Sequence, residues 1–409
     1  MWGVSLEKAK ILIVHNHYQI SGGEDSVVAN EQQLLENHGH KVRLYSRDNA
    51  ELKQLSVFRK LALPFTSVFN PKTYMEVKRI IRREHIDIVH VHNTLNLISP
   101  SVYYAALKCD VPVLQTIHNF RLLCPNALFY RDGHICEDCV EHGLGCAIKH
   151  NCYRGSRMQT LACVITAKIH RMTGIYGKLN YICLTQFNKD KLLSLKQIDP
   201  EKVYVKPNFT VCANDMPSAD RSENPFIFAG RLEKTKGLDI MLAAWKLLGS
   251  SAPKLVICGT GPMEAWCQNY ITCNNLKNVE LKGYLPNQEV IRLVAGSRAL
   301  ILPTQCYEGF PMSIVEAFSV GTPVICSDLG NAGNLVEEGI TGCKFNADFP
   351  EELAEAILRI NQYKEIHKTT KERYLLQYTE EKNYERLSEI YDLIRGSKMR
   401  LTDIDAAGH

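Results

Sequence analysis

The sequence lacks the features that mark membrane-spanning, nucleic-acid-binding or secreted proteins. None of its apolar runs approaches the roughly 18 residues that a membrane span needs, and it contains no low-complexity tract. The net charge of the 409-residue chain is only +4, so the charge balance gives no indication of a nucleic-acid partner. The start of the sequence has a short apolar run without a small-residue cleavage site, so we expect no secretion signal. These absences favour an ordinary globular protein.

Cysteine is not scarce, but most of it is dispersed. Ten of the 15 cysteines are scattered, and Cys183, Cys258 and Cys326 fall inside apparent strands, where a free thiol behaves as a small apolar group. Scattered free thiols are typical of a reducing compartment. We therefore expect a cytoplasmic protein.

The order of apolar runs predicts two α/β domains. The length exceeds that of one typical core, and short apolar runs alternate with helical patterns along the chain, as in parallel sheets covered on both faces. The cycle restarts after a polar, proline-containing segment at 212–225, which we interpret as a linker. We predict two doubly wound, Rossmann-like domains, at 1–220 and 221–380. Ligands of such folds bind beyond the carboxyl ends of the strands, and two facing domains would form a cleft there.

The segment HNHYQISGGED follows the first strand and opens the first helix. Gly22 and Gly23 let the backbone approach a ligand closely, and the helix N-terminus attracts a phosphate group. A tight turn with Ser21 or Asp25 as the N-cap explains the segment equally well. The pattern is not G-x-G-x-x-G, so it does not indicate a nicotinamide cofactor.

His118, in THNFR, follows another strand of the first domain. A polar histidine at this place can bind a substrate hydroxyl or carry a proton. A structural histidine is the commoner case, and four further strand-end histidines are alternatives: His15, His17, His90 and His92.

In FAGRLEKTKGLD, Arg231 ends a strand and Lys236 lies in the basic loop after it. The two cations suit a diphosphate, arginine as a planar fork and lysine as a point charge. The alternative is a solvated basic loop that Glu233 partly neutralises.

The string EGFPMSIVE follows a strand of the second domain and contains two glutamates. Pro311 suits the first position of a helix, Glu308 precedes that helix and Glu316 lies inside it. A carboxylate can accept two hydroxyl hydrogen bonds from a vicinal diol, and the N–H groups of Gly309 and Phe310 can serve a pyrophosphate. Judged by spacing alone, Glu308 as a helix cap and Glu316 in a surface ion pair are the simpler explanation.

These motifs together resemble the family 4 retaining glycosyltransferases, which have the GT-B fold. The resemblance rests on GGED, HNFR, GRLEKTKG, the glycine pair of CGTGP and above all EGFPMSIVEAFSVGTPVICSD, and it covers essentially the whole chain in the right order. It implies a nucleotide-sugar donor bound mainly by the second domain, in the cleft. It also implies that a helix near 381–396, within a segment 381–409, crosses back onto the first domain.

The resemblance assigns roles to individual residues. It places Arg231 and Lys236 on the diphosphate, Glu316 on the ribose, Glu308 near the donor sugar and His118 on a hydroxyl of that sugar. The remaining donor-binding residues that it implies are Gly22, Gly23, Gly261, Gly309, Phe310, Pro311, Met312 and Ser313. Pro311 stands where a second glycine often follows Glu-Gly-Phe; this departure from the family form concerns the backbone contacts usually made there and not the two glutamates.

The chemistry expected from these residues needs no metal ion at the diphosphate. The departing nucleoside diphosphate gathers negative charge, which fixed cations and helix N-termini stabilise. The Asp-x-Asp motif occurs only at Asp403–Asp405, near the end of the sequence. We therefore expect no catalytic metal, and no carboxylate pair has the spacing of a glycosidase.

Five cysteines crowd into residues 124–152, within a cysteine-rich loop at 119–157. Cys136-x2-Cys139 is typical of half of a tetrahedral zinc site, and we name Cys124, Cys136, Cys139 and Cys152 as ligands of a structural zinc, with Cys146 as the spare. His142 and His150 are substitute ligands. Free thiols and disulfides remain the alternatives.

Residues 157–180 mix basic and apolar residues at helical spacing. Such a segment can touch a membrane surface that carries a lipid-linked acceptor, although an ordinary amphipathic helix of the domain has the same pattern. Membrane contact would place the protein at the inner membrane face.

The sequence therefore predicts a retaining glycosyltransferase that moves a hexose from a nucleoside-diphosphate sugar to a glycan or lipid-linked acceptor of a surface polysaccharide. A GT-B nucleotide-sugar epimerase is the alternative enzyme. A non-catalytic, zinc-containing interaction protein on the same scaffold is the alternative of another class.

Overall fold

The computed structural model describes residues 8–18, 22–54, 56–211, 221 and 223–406, with the side chains of 57–61 and 397–406 left aside. Most of the linker expected at 212–225 lies outside these residues, as does Ser21. The chain forms two compact units. The first comprises the residues up to Ala127, Glu137–Pro207 and the residues from Asn383 onward. The second comprises Leu128–Cys136 and Asn208–Lys382.

Each unit is built on one six-stranded parallel sheet. The strands in chain order are β1 (Lys10–His17), β2 (Lys41–Asp48), β3 (Ile88–Asn93), β4 (Val113–Ile117), β5 (Tyr130–Arg131), β6 (His134–Ile135), β7 (Asn180–Cys183), β8 (Val203–Val205), β9 (Phe226–Ala229), β10 (Leu255–Cys258), β11 (Val279–Gly283), β12 (Ala299–Leu302), β13 (Val324–Ser327) and β14 (Gly342–Phe345). The first sheet has the order β2-β1-β3-β4-β7-β8 and the second the order β11-β10-β9-β12-β13-β14. Both are the doubly wound sheets expected from the alternating pattern.

Helices follow the strands and cover the sheets. In chain order they are α1 (Gly23–Asn37), α2 (Glu51–Gln54), α3 (Val57–Val68), α4 (Pro71–Glu84), α5 (Ser101–Leu107), α6 (Asp138–Glu141), α7 (Gly145–Lys149), α8 (Arg157–Met172), α9 (Gln186–Leu192), α10 (Leu238–Leu248), α11 (Glu264–Cys273), α12 (Asn287–Ala295), α13 (Met312–Ser319), α14 (Gly330–Leu335), α15 (Pro350–Arg359), α16 (Ile366–Gln377) and α17 (Glu380–Ala406). The central strands β3, β4, β10, β12 and β13 are buried at every position. Burial on both faces explains their continuous apolar sequences. Among the described helices, none combines the length and the apolar character that crossing a bilayer requires.

Two short elements were not expected from the sequence. Strands β5 and β6 form an antiparallel hairpin inside the cysteine-rich loop, and this hairpin belongs to the second unit. Within that unit Phe129 meets the ring of Tyr307 edge-on, with 6.0 Å between ring centroids. The loop is thus divided between the two units rather than being one appendage of the first.

A buried ion pair connects the ends of the first unit's sequence. Lys206, just after β8, donates to the Glu31 carboxylate of α1 at 2.9 Å and to the Asn383 side-chain oxygen of α17 at 3.0 Å. Burial opposes the charge of Glu31, but Lys206 and the histidines His90 and His92 outweigh it and hold the pKa of Glu31 well below its ordinary value. Helix α17 is therefore fixed to this unit from Asn383 onward by charge and hydrogen bonding.

Gly237 occupies a position that no other residue fits. Its φ is +66°, and a Cβ placed there would lie 1.8 Å from the carbonyl oxygen of Pro303. The close approach joins the 3-10 turn Lys234–Lys236 to the segment after β12, where the Gln305 N–H donates to the Thr235 carbonyl at 2.8 Å. The glycine thus brings two strand-end loops of the second unit together.

We predict that Glu31→Gln destabilises the protein by about 3–5 kcal/mol at pH 7, because it leaves the buried Lys206 charge uncompensated. The folded pKa of Glu31 is lowered, so its contribution is complete above the ordinary pKa near 4.5 and disappears as the pH falls towards the folded value. Denaturant unfolding at pH 7 measures the first effect, and a series continued well below pH 4 measures the second. Glu365→Gln, in an exposed ion pair, should change stability by less than about 0.5 kcal/mol; an equal loss in the two variants would contradict the argument.

We predict that Gly237→Ala costs about 3 kcal/mol or more, because the methyl group overlaps a backbone carbonyl and the residue keeps a positive φ. Gly174 is the matched control, since it has φ +64° and open space around its Cα. Gly174→Ala should cost only about 1 kcal/mol. Thermal unfolding of both variants gives the comparison, and equal losses would show that the φ angle alone matters.

Candidate active site

The candidate residues of the first unit lie where its strand order reverses. From β1 the chain passes to β2 on one side, whereas β3 pairs on the other side of β1. The carboxyl ends of β1, β3 and β4 carry five histidines: His15, His17, His90, His92 and His118. In doubly wound sheets this reversal opens a crevice. The alternatives that the sequence left open are therefore neighbours in one cluster.

His118 follows β4 directly, and the His92 ring of β3 holds it. The Nε2 atom of His118 lies 2.9 Å from Nδ1 of His92, and the two rings stack. Burial, and then electrostatic interaction with neighbouring histidines, lowers the pKa of His118 well below its ordinary value. His118 is therefore a neutral ring near neutral pH and acts through its hydrogen bonds.

Glu31 decides which nitrogen of His118 accepts a hydrogen bond. Its ionised carboxylate lies 3.4 Å from Nε2 of His92, and a carboxylate only accepts. With the hydrogen of His92 on Nε2, facing this carboxylate, its Nδ1 is left to accept a hydrogen bond from His118 Nε2. The remaining nitrogen of His118, Nδ1, is then an acceptor for a hydroxyl group.

Gly22 and Gly23 begin helix α1, as the sequence indicated. Gly22 is the N-cap, and its N–H donates to the Asp25 carboxylate at 3.0 Å. A Cβ on Gly22 would meet no atom within 4 Å. The helix start therefore presents its backbone in front of open space.

Two acidic residues of the same turn were missed as site candidates. The Asp25 carboxylate bonds His15 Nε2 at 2.8 Å and His17 Nδ1 at 3.0 Å. Glu24 is buried, which raises its pKa to about 8, and it accepts from the Tyr18 hydroxyl. In the sequence, only the glycines of GGED suggested a site. The fold shows that Asp25 contacts the two histidines and that Glu24 contacts Tyr18.

In the second unit, Lys236 and Glu308 form an ion pair. Lys236 Nζ donates to Glu308 Oε1 at 2.7 Å, and Thr304 donates to the same oxygen at 2.9 Å. Burial opposes the charge of Lys236, but Glu308 outweighs it and raises the lysine pKa. Lys236 lies in the loop after β9 and Glu308 in the loop after β12, and the strand order of the sheet reverses between these two strands.

Arg231 lies at the edge of this pair. Its side chain is 67% exposed, and its guanidinium pairs with Glu233 at 3.0 Å, the partner that the sequence named. Its charge also acts on Lys236 and lowers that lysine's pKa, against the effect of Glu308. Two cations therefore lie within electrostatic range of each other.

Asn331, which the sequence did not point to, fixes the loop of Glu308. Its buried amide donates to the carbonyls of Glu308 and Gly309, at 2.5 and 2.7 Å. The prediction that Pro311 takes the first helical position is wrong by one residue, because Pro311 is the N-cap and Met312 and Ser313 begin α13. Phe310 packs against the core of the second unit.

Glu316, on α13, is not a surface charge. Burial raises its pKa, and the Asn287 amide donates to it at 3.4 Å.

Packing requires a glycine at position 261, since a Cβ there would lie 2.5 Å from the Leu232 carbonyl oxygen. Gly261 borders an open cavity of about 550 Å³ with Glu264 and Gln268.

Among the residues that the structure describes, the cysteines of 124–152 form no disulfide. Cys139 packs with Cys146 and Cys152 in a small apolar cluster that includes Leu144 and Val164. Burial and the neighbouring thiols of Cys124 and Cys152 raise the pKa of Cys139 to about 12.

Two family descriptions match this chain. Residues 216–377 match "Glycosyl transferases group 1" and residues 21–134 match "Glycosyltransferase Family 4". The UDP-Gal:α-D-GlcNAc-diphosphoundecaprenol α-1,3-galactosyltransferase of Escherichia coli is 24% identical over 88% of this chain and 90% of that enzyme.

Solved structures show the same fold. A glycosyltransferase from Rickettsia africae superimposes with a TM-score of 0.68 at 18% identity, over 95% of this chain and 99% of that one. The Anabaena protein HepE in complex with UDP gives a TM-score of 0.64 at 16% identity, over 93% and 98%. With two doubly wound units and both family matches in chain order, this protein belongs to the GT-B glycosyltransferases, with a family 4 N-terminal region and a group 1 C-terminal region.

Proposed function

We propose that this glycosyltransferase moves a hexose, with retention of configuration, from a uridine-diphosphate sugar to a lipid-linked glycan acceptor. The product would belong to a surface polysaccharide, and the enzyme would act in the cytoplasm at the inner membrane face. The observation that carries the proposal is the Lys236–Glu308 pair with Arg231 beside it. The Escherichia coli relative with its diphosphoundecaprenol substrate supports the acceptor class, and the UDP complex of HepE supports the donor class.

A diphosphate fits the charges at this site. Glu308 keeps Lys236 protonated, while Arg231 repels it. An anion held by both cations relieves that repulsion and gains two charge-assisted interactions. These interactions strengthen as the diphosphate leaves and gathers negative charge, which is the condition for catalysis rather than binding alone.

The other residues take the remaining parts of the donor in this proposal. Glu316, half-buried beside Asn287, accepts two hydrogen bonds from the ribose diol. Glu308 contacts the donor sugar, and the backbone N–H groups of Gly309 and Phe310 bind the pyrophosphate. The acceptor nitrogen of His118 binds a sugar hydroxyl. Gly23, at the start of α1, and Gly261, beside the 550 Å³ cavity, allow the backbone to lie close to the donor.

We also propose a structural zinc ion in the cysteine-rich loop. Cys124, Cys139 and Cys152 interact electrostatically around a buried thiol, and the Cys136-x2-Cys139 spacing supplies a fourth ligand. Crowded thiols with a raised pKa deprotonate readily only when a cation compensates the charge. This zinc ion would stabilise the loop and would not contact the diphosphate, which Arg231 and Lys236 bind in this proposal.

We predict that Lys236→Ala lowers kcat by roughly 10²–10³-fold, because a charge that stabilises the leaving group is lost. The assay measures acceptor-dependent release of UDP from the donor. Lys234→Ala removes an exposed lysine of the same turn and should leave kcat within about two-fold. EDTA should not change turnover in protein that retains its zinc; loss of activity under that condition, or donor turnover that needs no acceptor, would contradict the proposal.

We predict that protein purified without added metal contains about one equivalent of zinc. Cys139→Ser should lose it, whereas Cys273→Ser, an exposed cysteine on α11, should keep it. Elemental analysis of the three proteins is the measurement. Zinc below about 0.2 equivalents in the parent protein would mean that the thiols are free.

A further inference from the structure

Helix α8 carries apolar side chains on its exposed side. The exposed apolar residues recur at helical spacing: Met158, Leu161, Ile165, Ile169 and Met172. Met158 is 82% exposed and Met172 is 86% exposed. The opposite side of the helix buries Thr160, Val164 and His170. A helix that only covers its own domain has the reverse arrangement, with polar residues outside. We call these five residues the outer stripe.

Helix α3 packs against α8 and extends the apolar surface. Its Phe65 is 79% exposed, and Phe69, just after the helix, is exposed as well. A cavity of about 310 Å³ lies between the helices, and its lining includes Leu63, Pro64 and Ser67 of α3 and Met158, Ala162 and Thr166 of α8. The surface is therefore a broad apolar face with a groove, larger than the single exposed side chains that are normal on a monomer.

The two segments that contain these helices are basic in sequence. Residues 52–75 and 149–180, which contain the two helices, have ten lysines and arginines and no aspartate or glutamate. The whole chain has 48 basic and 44 acidic residues, so this separation is local. Arg154, Arg157 and Lys168 are exposed beside the outer stripe. An apolar stripe flanked by basic residues is the arrangement of helices that lie in a membrane interface.

We propose that the α3–α8 face docks on an anionic lipid bilayer, with the outer stripe at the boundary between headgroups and acyl chains. Arg157 and Lys168 then lie against lipid phosphates. A second copy of this chain is a poorer partner, because two such faces would bring like charges together. The docking itself is independent of the proposed function. One further point rests on that function: a lipid-linked acceptor would be presented at this surface, with its lipid chain in the groove.

Vesicle co-sedimentation tests the docking without any donor or acceptor. The protein should bind vesicles that contain about a third phosphatidylglycerol and should not bind pure phosphatidylcholine, and high salt should weaken the binding. Lys168→Ala should lower the partition coefficient about five-fold, and Met158→Glu with Ile165→Glu should abolish binding. Leu247→Glu, at an exposed leucine of α10, is the matched control and should bind as the parent does.

Several results would overturn the inference. They are an absence of binding to anionic vesicles, equal binding by the outer-stripe variant, and a concentration-dependent dimer that this variant abolishes while vesicle binding is absent. Far-UV circular dichroism confirms that the substitutions, all at exposed positions, leave the fold intact. Vesicle binding without hexose transfer would support the docking inference and refute the proposed function. Hexose transfer without vesicle binding would support the proposed function and refute the docking inference.

Discussion

The reversal of strand order within each sheet is the constraint on which the candidate site depends. At that point the carboxyl ends of neighbouring strands are left without a crossover helix above them. Polar side chains can therefore be placed there without breaking the core. His92 and His118 occupy this place in the first unit, and Lys236 and Glu308 in the second. The apolar strands beneath them are buried at almost every position, so the side chains above have a rigid base.

The Glu31–Lys206 and Lys236–Glu308 ion pairs differ in how far they are exposed to solvent. Glu31 and Lys206 are almost completely buried and paired with each other within the first unit, which makes their pairing part of the fold. Lys236 and Glu308 are also paired, but part of each side chain reaches solvent, and Arg231 stands nearby with its charge largely exposed. The second arrangement leaves cationic charge available to a ligand, whereas the first does not.

The same burial produces acidic groups that resist ionisation. Glu24 and Glu316 both have raised pKa values because their partial burial disfavours the charged form. Hydrogen bonds from Tyr18 and Asn287 recover part of that cost.

The sequence by itself determined the fold class, because the alternation of apolar runs and helices needs only local periodicity. Only the tertiary structure decided that His118 rests on His92 and Glu31, that Asn331 fixes the Glu308 loop, and that the hairpin at 128–136 belongs to the second unit. These contacts join residues far apart in sequence, so no local pattern encodes them. For the same reason the composition of α8 indicated an amphipathic helix, whereas the direction of its apolar side depended on which face the domain buried.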